Sequence, residues 1–397
     1  MKKVYLDHAS TTYLIPEVIE AMKPYYDNVY GNPSSIHQEG RKAKYALYEA
    51  RKKIADILNC QPTEIFFTGG GTESCNLAIL GVASVFNDKK LKFKPHIITS
   101  RIEHSAVLKP CQKLEKEGFE ITYLPVNRDG IVSVPDLEKA IKPETILISI
   151  MYANNEIGTI QPIQEIGGLI KTKNQKLKNK IIFHTDACQA AGFLDLDAQK
   201  LGVNLLTLNA SKIYGPKGVG LLFIREGTPI SPIILGGGQE NGLRSGTENL
   251  AGIIGLAKAL ELAQKSRIKE SQRLKKLRDY LIIGIEKRIP KVILNGDAKE
   301  RLPNNANISI LDIEGEAALL WLDKYGIFAS TGSACDSKSL EPSHVILALG
   351  RPYEYAHGSL RFTLGKRTKK EDIDYLLKVL PVIVKKLRTI SPIKVKI

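Results

Sequence analysis

Leu205-Leu206-Thr207-Leu208-Asn209-Ala210-Ser211-Lys212-Ile213-Tyr214-Gly215-Pro216-Lys217-Gly218 is the stretch on which the reading of the fold turns. The apolar run predicts a short buried strand, and the Gly/Pro turn places Lys212 just past its carboxyl end. Lys212 is there a candidate Schiff-base amine; the plainer alternative is a surface lysine. One strand upstream, Ile181-Ile182-Phe183 runs into His184-Thr185-Asp186. Asp186 is either the partner of a protonated ring nitrogen or a helix cap.

Working outward, strands are predicted at 64–68, 96–100, 120–124, 145–151, 180–185, 204–208 and 219–224. Helical patterns at 73–86, 105–116, 134–141 and 162–172 lie between most of them, and another runs from about 35 to 58. Near-continuous apolar strands alternating with helices predict a mainly parallel sheet covered on both faces. Ligands of such sheets sit beyond the carboxyl ends of the strands. Residues 69–72, His104, Asn154-Asn155, Asp186 and Lys212 all fall there. After a glycine-rich loop at 236–242, a charged helical stretch from about 249 to 288 is expected to lead into a smaller C-terminal part. That part carries a strand at 307–311, a helix at 314–324, a loop of small residues around Cys335 and a terminal helix near 370–387.

The chain has 397 residues, roughly two domains' worth, with 43% hydrophobic and 25% charged residues, the balance of a soluble globular protein. The first residues hold no apolar signal core and no run reaches membrane-spanning length, so a cytoplasmic protein is expected. The five cysteines are scattered, with no Cys-x-x-Cys and no His-Glu-x-x-His, so neither a zinc site nor a disulfide framework has support. The net charge of +15 fits nucleic acid, an acidic partner or a lysine-rich proteome. The lysines are dispersed along helices, and the densest run, 171–180, has no stacking aromatics, so nucleic acid is not expected as a partner.

Phe66-Phe67-Thr68-Gly69-Gly70-Gly71-Thr72-Glu73-Ser74 reads as strand, glycine turn and helix start. It is a phosphate cup or a tight turn capped by Thr72; it is neither a P-loop nor a dinucleotide fingerprint. His104, between a strand and a helix, either stacks on or protonates a ligand or caps the helix. The amides of Asn154-Asn155-Glu156 orient a ligand or form an Asx turn. Cys335, in Ser330-Thr331-Gly332-Ser333-Ala334-Cys335-Asp336-Ser337, has only small or polar neighbours; it is a mobile-loop nucleophile or an incidental exposed thiol. The other four cysteines look like apolar filler. Arg361, in an alternating strand, is a carboxylate clamp or an ordinary salt bridge. A lysine, an aspartate and a phosphate cup are together what pyridoxal phosphate asks of a protein.

The order of these segments, with Tyr5-Leu6-Asp7-His8, Gly31-Asn32-Pro33-Ser34-Ser35, Glu103-His104, Arg244-Ser245-Gly246-Thr247, Gly332-Ser333-Ala334-Cys335 and Leu340-Glu341-Pro342-Ser343, resembles the cysteine desulfurases of the class V aminotransferase group over nearly the whole chain. The loop around Cys335 looks like the subgroup that supplies iron–sulfur assembly or transfer-RNA thiolation. The resemblance implies an α/β, fold-type I pyridoxal phosphate transferase acting as a homodimer. Its large domain holds a mainly parallel seven-stranded sheet, and a smaller α/β domain follows. The implied division is an N-terminal segment at 1–14 packing with the small domain, a large cofactor-binding domain at 15–258, and a small domain at 259–397 carrying the cysteine loop.

By the same resemblance Lys212 would hold pyridoxal 5'-phosphate through a Schiff base, Asp186 would keep its pyridine nitrogen protonated, and His104 would stack on the ring. Gln189 and Asn155 would bond its phenolic oxygen. Gly71, Thr72 and Ser211 would hold the phosphate, with Thr247 reaching in from the other subunit. Arg361 and Asn155 would bind the carboxylate of L-cysteine, Lys212 would abstract its Cα proton, and Cys335 would take the sulfur as a persulfide and release alanine. The sulfur would pass to an acceptor, an iron–sulfur scaffold or a transfer-RNA-thiolation protein. No metal is implied beyond a contact of Cys335 with an iron–sulfur cluster during transfer. Two departures stand out. Asn209-Ala210-Ser211-Lys212 replaces the usual Ser-Gly/Ala-His-Lys; Asn209 and Ser211 stay hydrogen-bond capable and count among the cofactor-binding residues, with weaker binding expected. The chain also stops at Ile397, where the subgroup often continues into a scaffold-docking tail, which leaves the usual scaffold interaction open. The rival readings are another enzyme of this fold, an aminotransferase or selenocysteine lyase, or a basic binding protein that has lost the chemistry.

Overall fold

A computed structural model describes residues 2–87, 94–332 and 342–391. Its strands, in chain order, are β1 (Val4–Tyr5), β2 (Ile65–Thr68), β3 (His96–Ser100), β4 (Glu120–Leu124), β5 (Thr145–Ser149), β6 (Ile182–Asp186), β7 (Leu205–Asn209), β8 (Gly220–Ile224), β9 (Val292–Leu294), β10 (Asn305–Ile310), β11 (Ile327–Phe328) and β12 (Ser359–Thr363). The seven strands read from the sequence, β2 to β8, form one sheet in the order β2-β8-β7-β6-β5-β3-β4. From β7 to β4 every pairing is parallel. β8 runs antiparallel to both of its neighbours. The connection from β7 to β8 spans only residues 210–219, too short for the crossover that a parallel return requires.

Successive residues of each strand serve opposite faces, so one sheet feeds two cores. Phe183, Leu206, Ile148 and Ile98 pack with the helices Gln38–Leu58 and Leu250–Arg288. Their neighbours Ile182, Leu205, Leu147 and Ile97 pack on the other face with Leu77, Val107 and Cys111. Burial on both faces is why apolar residues stand side by side in these strands instead of alternating with polar ones.

The 39-residue helix Leu250–Arg288 is about 58 Å long. Leu250 to Ala263 belong to the large-sheet core, and Leu274 to Ile285 belong to a second core. The second core lies between the antiparallel sheet β12-β10-β9 and the helices Gly315–Lys324 and Lys370–Ile390. β1 pairs in parallel with β11, which buries Val4 and Leu6 in that core.

The helix read at 73–86 is a composite. It begins at Gly71, widens into a π turn at Leu77–Gly81 and resumes at Val82–Val85. The Gly81 carbonyl, at the end of the π turn, also accepts from the Ser231 amide of a neighbouring loop at 3.0 Å. Among the described residues no helix is long and apolar enough to cross a membrane.

Candidate active site

β7 ends at Asn209, and a single 3-10 turn, Ala210–Lys212, carries the chain off the sheet. Asn209 Oδ1 accepts from the Ser211 amide and the Ser211 hydroxyl, both at 3.2 Å. The two positions that depart from the family pattern therefore bond to one another and cap the turn that presents the lysine. Lys212 Nζ donates to the carbonyls of Ala9 at 2.9 Å and Ser10 at 2.6 Å. The N-terminal segment thus forms one wall of the site.

Lys212 opens into a cavity of about 200 Å³ beyond the carboxyl ends of the strands. Asp186, Gln189, His104, Gly71, Thr72, Asn155, Asn209 and Arg361 line the same cavity. Ser211 lies in an adjoining cleft, with the glycine turn and Lys217. Thr247 is exposed and lines neither space within this chain. Cys335 lies outside the described residues, whereas Gly332, at the edge of its segment, lines the cavity.

The glycine turn is shaped by close packing. Gly70 has a φ of +151°, a backbone that side chains rarely tolerate, and leaves the start of the helix Gly71–Asn76 open to the cleft. A Cβ on Gly71 would lie 2.8 Å from Cys188 Sγ, just past β6, and 3.3 Å from Asn209 Cβ, at the end of β7, so only glycine fits there. Thr68 Oγ1 and Ser74 Oγ, 2.7 Å apart, pin the turn to the helix behind it.

Four of the remaining candidates already have a partner. His104 Nδ1 accepts from the Ala106 amide at 3.0 Å, so the ring caps its helix and also faces the cavity. Asp186 is 9% exposed, and its Oδ1 accepts from the Cys188 amide at 2.9 Å. Gln189 Nε2 donates to the Ala9 carbonyl at 3.0 Å. The Arg361 guanidinium donates to Asp7 Oδ1 at 2.9 Å, Ser10 Oγ at 2.7 Å and the Asn155 carbonyl at 3.0 Å, while its Nε has no partner among the described residues.

Behind the cavity, burial decides protonation. His184 bridges Ser149 Oγ at 2.8 Å and Thr207 Oγ1 at 3.0 Å across three strands, and burial pulls its pKa down to about 4. Burial pushes the Cys60 and Cys111 thiols up to about 12 and holds those of Cys75 and Cys188 well above their usual value. None of these four is poised as a thiolate.

The cavity also uses residues to which the sequence assigned no role. Glu103 is fully buried on its wall, and burial pushes its carboxyl up to about 8. His344, just past the cysteine segment, lines the cavity and bonds the Glu103 carbonyl through Nε2 at 3.0 Å. Glu156 lines it as well. The only sequence signal for Glu103 was its place beside His104 in a segment that carries the resemblance; for His344 there was none. Among the described residues no group of three His, Cys, Asp or Glu is arranged to hold a metal.

Comparison with known proteins places this geometry in a family. The aminotransferase class-V model matches residues 4–376. A cysteine desulfurase IscS of Dictyoglomus turgidum is 57% identical over 393 residues, covering 99% of this chain and 97% of the relative. A cysteine desulfurase IscS of Methanosarcina thermophila is 54% identical over 396 residues, covering 100% of this chain and 95% of the relative. Among solved structures, a NifS-like protein superposes with a TM-score of 0.89 at 38% identity, covering 97% of this chain and 100% of that one. A structure described as SspA in complex with cysteine superposes with a TM-score of 0.78 at 36% identity, covering 91% of this chain and 99% of the other.

Proposed function

The chain belongs to the aminotransferase class-V family, and on that premise we propose that it is a cysteine desulfurase, converting L-cysteine to L-alanine and an enzyme-bound persulfide. The observation that carries the proposal is the convergence of Lys212, Asp186 and Arg361 on one cavity whose wall leads, at Gly332, into the segment of Cys335.

Pyridoxal 5'-phosphate is the cofactor this reading requires. The residues suit it: an amine at Lys212, a buried carboxylate at Asp186, and a glycine cradle that a Cβ on Gly71 would fill. When bound, this group supplies a sink for the electron pair left at the substrate's Cα. Asp186 would hold a proton on the ring nitrogen. His104 would lie against the ring, and Gln189 and Asn155 would face its phenolic oxygen. Gly71, Thr72, Asn209 and Ser211 would hold the phosphate from one subunit, and Thr247 from the other subunit of a homodimer.

Arg361 and Asn155 would bind the substrate carboxylate, with the guanidinium exchanging a contact within the chain for the ligand. Lys212 Nζ would take the Cα proton. The Cys335 thiolate would then form an S–S bond to the substrate's sulfur as the C–S bond breaks, and the carbon would gain a proton. Thiol plus L-cysteine gives persulfide plus L-alanine, balanced without an external oxidant. An acceptor protein, an iron–sulfur scaffold or a transfer-RNA-thiolation partner in the cytoplasm, would take the sulfur next. The division into 1–14, 15–258 and 259–397 belongs to the same reading; the two cores joined by the helix Leu250–Arg288 support two units of this kind, with the helix leaving the large-sheet core after Ala263.

The test is the alanine and sulfide that the cofactor-loaded protein releases from L-cysteine with a dithiol. Equal amounts of both, lost in Cys335→Ser, are expected. Undiminished turnover in that variant would favour an aminotransferase-like activity that needs no thiol.

A further inference from the structure

Asn154-Asn155-Glu156 lies past β5, and the proposed chemistry uses only its middle residue. Glu156 is 4% exposed and fixed from two sides. Its amide donates to Asn154 Oδ1 at 2.8 Å. Its carbonyl accepts from Asn305 Nδ2 and Asn307 Nδ2 on β10, both at 3.1 Å. The main chain is thereby held between the large sheet and the small one, and the carboxylate has little freedom of aim.

That carboxylate meets two residues distant in sequence. Ser343 Oγ donates to Glu156 Oε2 and in turn accepts from the Ile346 amide at 3.2 Å, capping the helix His344–Ala348. Gly332 packs so closely that a Cβ would overlap the same Oε2 and lie 3.3 Å from Ser343 Cβ. One buried oxygen therefore gathers two residues that stand 11 positions apart (343 − 332), and the stretch between them in the sequence includes Cys335.

We propose that Glu156 is a positioning residue for sulfur transfer: its carboxylate bonds Ser343 and packs against Gly332 beside the Lys212 cavity, and so sets where the segment that carries the Cys335 thiol begins and ends. The inference rests on the reading of Cys335 as the sulfur acceptor. Glu156 takes no part in the bond exchange. It acts through placement, since a reacting group delivered at its partner's site reacts at a higher effective concentration than one delivered off it. Misplacement of a reacting group by about 1 Å can cost roughly a hundredfold in rate.

The experiment compares holoenzyme variants in two readouts. L-cysteine binding is followed by the change in the cofactor's visible absorbance. Persulfide formation on Cys335 in a single turnover is followed by mass spectrometry. Glu156→Ala is expected to slow persulfide formation by about ten- to a hundredfold while the half-saturating L-cysteine concentration stays within about twofold. Glu156→Gln keeps an oxygen acceptor for Ser343 and is expected to retain most of the rate. Ser343→Ala, a milder change, should slow the same step, and the double variant should be no slower than Glu156→Ala alone. Wild-type persulfide formation in Glu156→Ala, or a Glu156→Gln variant as slow as Glu156→Ala, would overturn the inference. So would binding and rate falling together. Cys335→Ser separates the two layers. If it still turns over, the underlying reading fails; if it is inactive while Glu156→Ala is unaffected, only the role of Glu156 fails.

Discussion

Glu103→Gln should flatten the pH dependence of stability. The Glu103 carboxyl has no exposed surface; its Oε1 accepts from Ser100 Oγ at 2.6 Å and the Met151 amide at 3.0 Å, and its Oε2 has no partner among the described residues. Burial outweighs those two hydrogen bonds and raises its pKa from 4.5 to about 8, with the nearby Asp186 adding to the rise. Between those values the folded protein keeps a proton that the unfolded chain has released. Stability is therefore fully present below about 4.5 and falls as pH rises toward 8. Each pH unit in the window costs about 1.4 kcal/mol, so the loss from about pH 5.5 to 8 is about 3 kcal/mol. With an unfolding entropy of about 0.8 kcal/mol/K for a chain of 397 residues, that is about 4 °C in Tm. Glutamine keeps an acceptor for Ser100 and Met151 and cannot titrate. Its amide group falls where Oε2 has no partner, a pH-independent cost of about 1–3 kcal/mol. The variant should melt below wild type at pH 5.5, and the gap should close by about 4 °C at pH 8. Thermal melts of both proteins across this range are the assay. Parallel wild-type and variant curves would refute a buried, protonated Glu103.

Three further outcomes follow from the geometry. Arg361→Lys replaces a fork that meets Asp7, Ser10 and Asn155 with a point charge, so kcat/KM for L-cysteine should fall by about ten- to a hundredfold, mainly through KM in steady-state kinetics. Gly71→Ala places a Cβ 2.8 Å from Cys188 Sγ, so at a packing cost of about 1–3 kcal/mol the protein should lose pyridoxal phosphate on dialysis at least tenfold more readily than wild type, as read by absorbance. Limited alkylation at neutral pH, mapped by mass spectrometry, should modify Cys335 first, because Cys60, Cys75, Cys111 and Cys188 are all held as protonated thiols.

Much of the fold was legible because its signals are local. Apolar runs bounded by glycine or proline marked β2 to β8, and the strand–helix alternation marked the parallel sheet. Lys212, Asp186 and the glycine turn were legible as a set because each ends such a strand. The reversed direction of β8 was written in the brevity of the 210–219 connection but not drawn from it. The π turn at Leu77–Gly81 was not legible, since the helical pattern runs through it unbroken, and Ser231, which bonds the Gly81 carbonyl, lies about 150 positions away.

The sequence by itself determined which residue types stand at the strand ends, and with them the chemistry available: an amine, a carboxylate, a glycine cradle and a guanidinium. Tertiary structure alone decided what those groups meet. The Asn209–Ser211 pair caps the lysine's turn, Asp7 of the N-terminal segment holds Arg361, and Glu103 is sealed from water. Glu156 gathers Gly332 and Ser343 on one oxygen. Periodicity and turn propensity act over a few residues, so they mark elements and their ends. Burial, proton affinity and pairing across hundreds of residues follow from how the sheets and the long helix pack together, and no local pattern carries that.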